Sequence, residues 1–515
     1  MASSPNPGRA ATPGFAATLG SDLRLSLGID LGTSAVKTVL IGADGAVYAT
    51  GTAPLELFAD TPGQAEQSPA DWVTAVHAAL SGMNQLSDWR TRVAAIGLTG
   101  QLPTLVCANR TGPLGRAITW KDSRADQRAA AMIDARDRRG LYEHTGMPID
   151  GRYLGPMFCH HWRERRAAVE FVFSAKDYLC YVLTGQHVTD PSTAAGYGVF
   201  DLATGSFSKS LCARWDLPFA ALPRVQPAHT AAGTLQIDIA ERFGLPPGIP
   251  VTVGAADSVA SAYAMAGLTE GVVCITMGSS TIIIDAIRAP RIDPAMRFLL
   301  TPHVASGWYG REMDLLATGT GYRWLSDLVG WADGSLDAQA ALSPPGARGV
   351  TFMPYLANGE QGALWDPTLR GAICGLKLQH SARDIARAFL EGTCYEIRRC
   401  VDVLAETTPI RGIVVSGHII EHRSSLQILA DVLQQPLQPY LAASAAATGA
   451  AQGAFEFLGV VLPRAPLGAG VSVPTSLAAT VLPGSDSTVY QALCADFLAR
   501  PTSSSALSAP PVLPD

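Results

Sequence analysis

The 515-residue chain contains no run of about 18 consecutive apolar residues, so no membrane-spanning helix is expected. It has no Cys-x-x-Cys pair either. Its nine cysteines, an odd number, are scattered through otherwise apolar segments, as at Cys107, Cys274 and Cys374. That distribution predicts buried thiols in a reducing, cytoplasmic compartment. Long Lys/Arg runs are missing, and the formal net charge is -6, which argues against a sequence-independent nucleic-acid surface. A small-molecule partner is the expectation that remains. Residues 1–24 are rich in Ala, Pro, Gly and Ser but lack a continuous apolar core, so they read as a disordered leader and not as a secretory signal.

What is present is a large apolar complement, 48% of the residues, in a chain longer than one hydrophobic core usually covers. Two large domains follow. The stretch from Leu27 to Leu40 reads as strand, tight turn, strand: two apolar runs flank Gly32, Thr33 and Ser34. Gly32 permits close backbone approach, Thr33 and Ser34 supply hydroxyls, and successive turn amides form an anion-binding concavity. Asp30 at the strand end is an oxygen ligand for a hard cation, and Lys37 adds positive charge near by. Asp44-Gly45 predicts a further hairpin. Ser68 and Pro69 predict a capped helix running through Leu80.

Val93 to Leu98 reads as a strand opening into Thr99-Gly100-Gln101-Leu102-Pro103, a loop of the kind that contacts ligands. Asp122 and Arg124 read either as a cleft-wall ion pair or as a cap with a solvated charge, the structural role being favoured, and an Ala- and Arg-rich helix is predicted to follow them. Val172 to Leu183 predicts a helix ending at Gly185. Val251 to Gly254 then delivers Asp257 to the start of a small-residue helix, where the helix dipole is expected to keep its carboxyl pKa low. A plain helix cap is the competing reading of Asp257. Met277-Gly278-Ser279-Ser280 repeats the strand, glycine-hydroxyl turn, strand pattern, so each half of the chain begins with the same unit. Two such turns facing one cleft, with Asp257 between the halves, form a phosphate-handling arrangement. Ile413-Val414-Val415 ends in Ser416-Gly417-His418 and leads into a helix, a second nucleotide-suited turn. Ala442 to Gly459 predicts a closely packing small-residue helix. The tail from residue 463 to 515 is rich in Pro, Ala and Ser, with one helix expected over 487–500.

Taken in order, Gly28-Ile29-Asp30-Leu31-Gly32-Thr33-Ser34, Glu66-Gln67-Ser68-Pro69, Ala175-Lys176-Asp177-Tyr178-Leu179, Gly254-Ala255-Ala256-Asp257, Met277-Gly278-Ser279-Ser280 and Ala430-Asp431-Val432-Leu433 resemble the motifs of the FGGY carbohydrate kinases, above all the xylulokinase-like branch. The resemblance implies an α/β chain of two ribonuclease-H-like domains, of the actin, Hsp70 and hexokinase superfamily, closing on a central cleft. Their expected bounds are 25–266 for the sugar and catalytic base and 267–462 for the nucleotide. It implies an ATP- and Mg²⁺-dependent sugar kinase, with D-xylulose the best single substrate name and gluconate, ribulose or a sugar alcohol as alternatives. Asp257 would be the catalytic base and Asp30 the metal-positioning residue. Gly32, Thr33, Ser34, Lys37 and Ser279 would meet the phosphates, Gly319 would lie close to the nucleotide, and Gly417, His418 and Ile419 would meet the adenine. The sugar would lie against Gln101, Leu102, Pro103 and Asp257. A homodimer is left open, as is a non-catalytic sensor on the same fold. Departures bear on the substrate: Leu102-Pro103 replaces the Met-His common in xylulokinases and the Arg-Glu of glycerol kinases, which argues against glycerol. His418 stands where a second glycine is usual, and Met157 where relatives often carry Lys. The Walker-type loop and the protein-kinase motif set are both absent, which removes those nucleotide-using classes.

Overall fold

The computed structural model describes residues 24–500, apart from 333, 358, 469, 470, 475 and 476. The expected leader, all but Arg24, lies outside the described residues, as does the tail beyond Arg500. Two sheets that share the order of a five-strand core, each with an extra antiparallel strand on a different edge, organise the chain. In the first, β1 (Leu25–Leu31), β2 (Ala35–Gly42), β3 (Val47–Pro54), β4 (Val93–Gly100), β5 (Ala231–Thr234) and β6 (Pro250–Thr252) lie in the order β5-β6-β4-β1-β2-β3. In the second, β7 (Val272–Met277), β8 (Thr281–Ile287), β9 (Leu299–Pro302), β10 (Tyr309–Leu315), β11 (Gly412–Gly417) and β12 (Leu437–Pro439) lie in the order β9-β10-β8-β7-β11-β12. Each sheet begins with an antiparallel hairpin, β1–β2 or β7–β8, and each hairpin's first strand then pairs in parallel with a later strand, β4 or β11. The repeated unit expected from the two glycine-hydroxyl turns is therefore a repeated sheet.

Every residue of β1 is buried, because helices cover both faces of the first sheet. On one face lie α1 (Pro69–Ser81), against β2 and β3, and α2 (Ala175–Thr184), against β4. Between the two sheets run α3 (Asp257–Ala266) and a helix from the far end of the chain, Ala445–Phe457. The first packs on β7 and β8, the second on β1 and β4, and the two pack on each other. Small residues make this possible. A Cβ on Gly28 would lie 1.8 Å from the Ala447 carbonyl oxygen, and one on Gly97 would lie 1.9 Å from that of Ala450. The second sheet's outer face is covered by the long helix Ala382–Ala405, and Ser487–Ala499 lays Tyr490, Cys494 and Phe497 against the same core.

Three local expectations change. Phe171–Phe173 forms a strand, not the start of a helix, because this aromatic and β-branched run pairs with Val106–Ala108; α2 starts after Ser174 and ends at Gly185 in the left-handed conformation, φ 72°. The Arg-rich segment after Arg124 makes two helices, Asp126–Met132 and Ala135–Thr145, the second capped by Asp134. Ser68 occupies the N-cap position of α1 but makes no side-chain cap bond. All nine cysteines are free, and none is more than half-exposed. Among the described residues no helix is long and apolar enough to cross a membrane.

Candidate active site

Asp257 is the first residue of α3, not its N-cap, a position held by Ala256. Its approach is fixed from the outside. Lys176, fully buried beside Asp177 and Asp190, donates to the Val253 carbonyl at 2.9 Å, and Ser192 Oγ accepts from the Ala256 amide at 2.9 Å. The segment Ala255–Ala256 pairs with the end of β4, which sets Asp257 at the junction of the two sheets. There its carboxylate meets the negative charges of Asp30, from the first sheet, and Glu312, from the second. Burial comes first and those two charges next, and together they push the Asp257 pKa up to about 8. The expectation of a low pKa is therefore overturned. The helix terminus does supply a donor, Ser258 N to Asp257 Oδ1 at 2.9 Å, but one amide does not offset desolvation and two like charges.

Asp30 sits near the end of β1 opposite Lys37 of β2, 7% exposed, and burial raises its pKa to about 6 against the lowering effect of Lys37 and of Ser444. Ser444 Oγ donates to Asp30 Oδ2 at 3.3 Å, while Oδ1 has no hydrogen-bond partner among the described residues. Lys37 itself is exposed. In the turn that follows, Gly32 N donates to Ala35 O, Thr33 Oγ1 accepts from Trp120 Nε1 at 2.9 Å, and Ser34 is exposed. Because Thr33 Oγ1 is an acceptor to the indole, its own O–H remains a donor for a ligand oxygen. The second turn is built to the same plan on the other sheet. Ser279 O accepts from Thr320 N, and a Cβ on Gly319 would lie 2.1 Å from Gly278 O and 3.0 Å from His418 Cε1, so glycine is required there. Gly417, at φ 88°, turns the chain into a short 3₁₀ segment, and His418 lies beside Tyr322 and His422 with Ile419 buried beneath. A small recess of about 30 Å³ opens among Met277, Thr318, Tyr322, His418, Ile419 and His422.

Gln101 is 1% exposed and points inward: its Nε2 donates to Gln67 Oε1 at 2.7 Å, and Gln67 in turn donates to Thr33 O. It braces the first turn. Leu102 and Pro103 are half-buried, with Leu102 packed toward Gly196. The larger cavity, about 400 Å³, opens farther along and is not lined by these three residues; Trp120, Asp122, Asp150 and Arg152 from the first half meet Leu316, Glu360 and Gln361 from the second. Asp122, fully buried, is both a wall of this cavity and the partner of Arg124, which also reaches Glu66 at 2.5 Å. Glu312 and Asp314 on β10 were not anticipated, nor were Arg152 and Gln361. The available signal was charge at alternate positions of an otherwise apolar strand, Glu312-Met313-Asp314-Leu315, which places both carboxyls on one face.

Among the described residues no group of three or more His, Cys, Asp or Glu side chains is arranged to hold a metal ion. An all-protein cage is not what Mg²⁺ requires, since it commonly uses one or two carboxylates together with waters and phosphate oxygens. The unpartnered Asp30 Oδ1, beside a second carboxylate whose pKa its charge raises, fits that requirement.

The family model for the FGGY carbohydrate kinase N-terminal domain matches residues 25–264, and that for the C-terminal domain matches 273–455. The chain is 27% identical over 419 residues to the xylulose kinase of Lactococcus lactis subsp. lactis (strain IL1403), covering 80% of this chain and 83% of the relative. It is also 28% identical over 451 residues to a glycerol kinase of Methylobacterium nodulans, covering 83% and 88%. The crystal structure of xylulose kinase from Rhodospirillum rubrum superposes with a TM-score of 0.79 at 30% identity, covering 92% of this chain and 98% of that one. With two sheets sharing a five-strand core order, a shared cleft and both halves matched, the chain belongs to the FGGY family of carbohydrate kinases and is a sugar kinase with the actin- and hexokinase-like two-domain fold.

Proposed function

We propose that this kinase transfers the γ-phosphoryl group of ATP to a hydroxyl of a small ketose, D-xylulose being the best single name, with Asp257 as the general base. The observation that carries the reading is the position of Asp257, at the junction of the two sheets with a pKa of about 8. A base acts best when its pKa lies near the working pH, because it is then both available and basic enough to take the hydroxyl proton. The Thr33 hydroxyl and the Gly32–Ala35 turn on one wall, and the Gly278–Ser279 turn on the other, supply donors for phosphate oxygens. Lys37 supplies positive charge opposite Asp30. Phosphoryl transfer depends mainly on alignment and charge neutralisation, which these groups are disposed to provide. Mg²⁺, held by Asp30, would neutralise phosphate charge and so relieve the repulsion between Asp30 and Asp257. Gly319 and the Gly417-His418-Ile419 turn would border the base, with the recess beside His418 receiving part of it.

Leu102-Pro103 offers no charged partner for a triol, which favours a longer sugar over glycerol. The test is a coupled ADP-release assay against a panel of ketoses, sugar alcohols, glycerol and aldonates. D-Xylulose or a related ketopentose is expected to give the highest kcat/KM, and Asp257→Asn to lose about 10²- to 10⁴-fold in kcat while still binding ATP. Wild-type turnover in that variant would remove the base assignment, and a preference for glycerol would remove the substrate.

A further inference from the structure

Arg152 reaches across the large cavity from one half of the chain to the other. Its Nε donates to Asp150 Oδ1 and Oδ2 at 3.1 and 3.0 Å, and its Nη2 donates to Asp150 Oδ2. On the far side the Gln361 amide, turned with its oxygen toward the guanidinium, accepts from Nη1 at 2.7 Å and from Nη2. A guanidinium has five N–H donors in a fixed fork. Four of them are engaged, so among the described residues a single Nη1 donor is left for a ligand. Its positive charge is also compensated by Asp150, and the inner wall beside it adds the buried carboxyls of Glu360 and Asp122. The exposed cations Lys121 and Arg138 stand at the mouth, not in the interior. Beside this wall the Asp314 carbonyl accepts from Gly362 N at 2.6 Å, next to Gln361; the Asp314 carboxyl interacts with the charges of both Arg152 and Asp257, and its Oδ1 has no partner among the described residues.

We infer that Arg152, held by Asp150 and Gln361, is a specificity-determining residue that reads the end of the acceptor remote from Asp257. The inference rests on the sugar-kinase reading of the cleft. The one remaining N–H suits a single neutral oxygen, a hydroxyl or carbonyl. A carboxylate is best recognised by a free two-donor fork, and here that fork is occupied. Asp150 therefore works against an aldonate twice, by taking the fork and by adding its own negative charge. Because Gln361 comes from the second half of the chain, the contact also ties acceptor recognition to the meeting of the two halves.

The experiment measures kcat and KM for D-xylulose, D-ribulose and D-gluconate by ADP release, with calorimetric binding of the same sugars, in the wild type, Arg152→Ala and Asp150→Asn. In Arg152→Ala the acceptor KM is expected to rise about tenfold with the ATP KM unchanged. In Asp150→Asn the ratio of kcat/KM for D-gluconate to that for the ketoses is expected to rise about tenfold, a gain that a merely structural role for the pair would not produce. Should Arg152→Ala fold poorly, the Asp150→Asn ratio decides. An unchanged ratio there, or a wild type that prefers D-gluconate, would overturn the inference while leaving a working kinase. Failure of every sugar to release ADP would count against the kinase reading instead, and the calorimetric ratio in the same variants would still judge the role of Arg152.

Discussion

The Asp257 carboxyl shows how far a residue's chemistry depends on neighbours remote in the chain. Read alone, an aspartate opening a helix should be acidic, because the dipole favours its charge. In the fold, Asp30 comes from the first strand and Glu312 from the second sheet, and both stand against it. Neither partner is visible from the local sequence, so the position of Asp257 was legible and its protonation was not. A consequence follows for the rate. As the proposed base, Asp257 must be deprotonated, so kcat/KM for the acceptor should climb with pH up to about 8 and level off above it, reporting the free enzyme. Asp30→Asn removes one of the opposing charges and is expected to move that inflection downward and, with Asp30 the proposed metal-holding residue, to raise the Mg²⁺ concentration needed for activity. A pH–rate profile that is flat from about pH 6 to pH 9 would show that Asp257 is not the titrating group. His418 offers a second residue-scale test. Its ring occupies the space over Gly319, so His418→Gly is expected to leave the ATP KM unchanged or lower it. A large rise would show that the imidazole holds the base.

At the scale of elements, the helix Ala445–Phe457 is the piece that makes the two halves one molecule. Its composition was readable as close packing, since Ala, Gly and Thr dominate its buried face. What it packs against was not readable, because Gly28 and Gly97 lie hundreds of residues earlier and their partners are backbone carbonyls, which carry no side-chain signature. The hairpins were legible for the opposite reason: strand, turn and strand are contiguous, and the residue types report the turn directly. The loops carrying Arg152 and Gln361 have no periodicity of their own and gain meaning only by meeting across the cavity. Gly28→Ala puts a methyl group where the Ala447 carbonyl oxygen already lies. The helix must shift, and the variant is expected to lose about 3 kcal/mol, or roughly 2–4 °C of Tm for each kcal/mol, in thermal unfolding. Gly140→Ala, where nothing lies within 4 Å of the added Cβ and the backbone is helical, serves as the control for an added methyl group without collision. If both variants unfold alike, helix-to-sheet contact is not what limits stability at Gly28.

For the whole molecule, the cleft gathers buried carboxyls that the fold compensates only in part, through Lys37 and Arg152. Burial raises Asp30 to about 6 and both Asp257 and Glu360 to about 8, and it also raises Glu312 and Asp314. Each binds its proton more tightly folded than unfolded. The stability they confer is therefore fully present below the ordinary carboxylate range near pH 4 and is lost as pH rises through the folded values to about 8. Histidines held below their ordinary value by burial, among them His161 at about 4 and His303 at about 3, act in the opposite sense up to about pH 6.5, so thermal unfolding should show Tm falling between about pH 6.5 and pH 8, and Asp257→Asn should flatten that fall. A cation bound by these groups competes with their protons, so millimolar Mg²⁺ is expected to raise Tm more at about pH 8 than at about pH 5, and Asp30→Asn to abolish most of the difference. A Tm that rises over the same pH interval, or a Mg²⁺ effect independent of pH, would mean that the cleft carboxyls are compensated by groups other than a bound cation. Instability concentrated at the cleft is what a catalytic arrangement entails: buried carboxyls that Lys37 and Arg152 compensate only in part are neutralised by protons at low pH and, above it, by a bound cation.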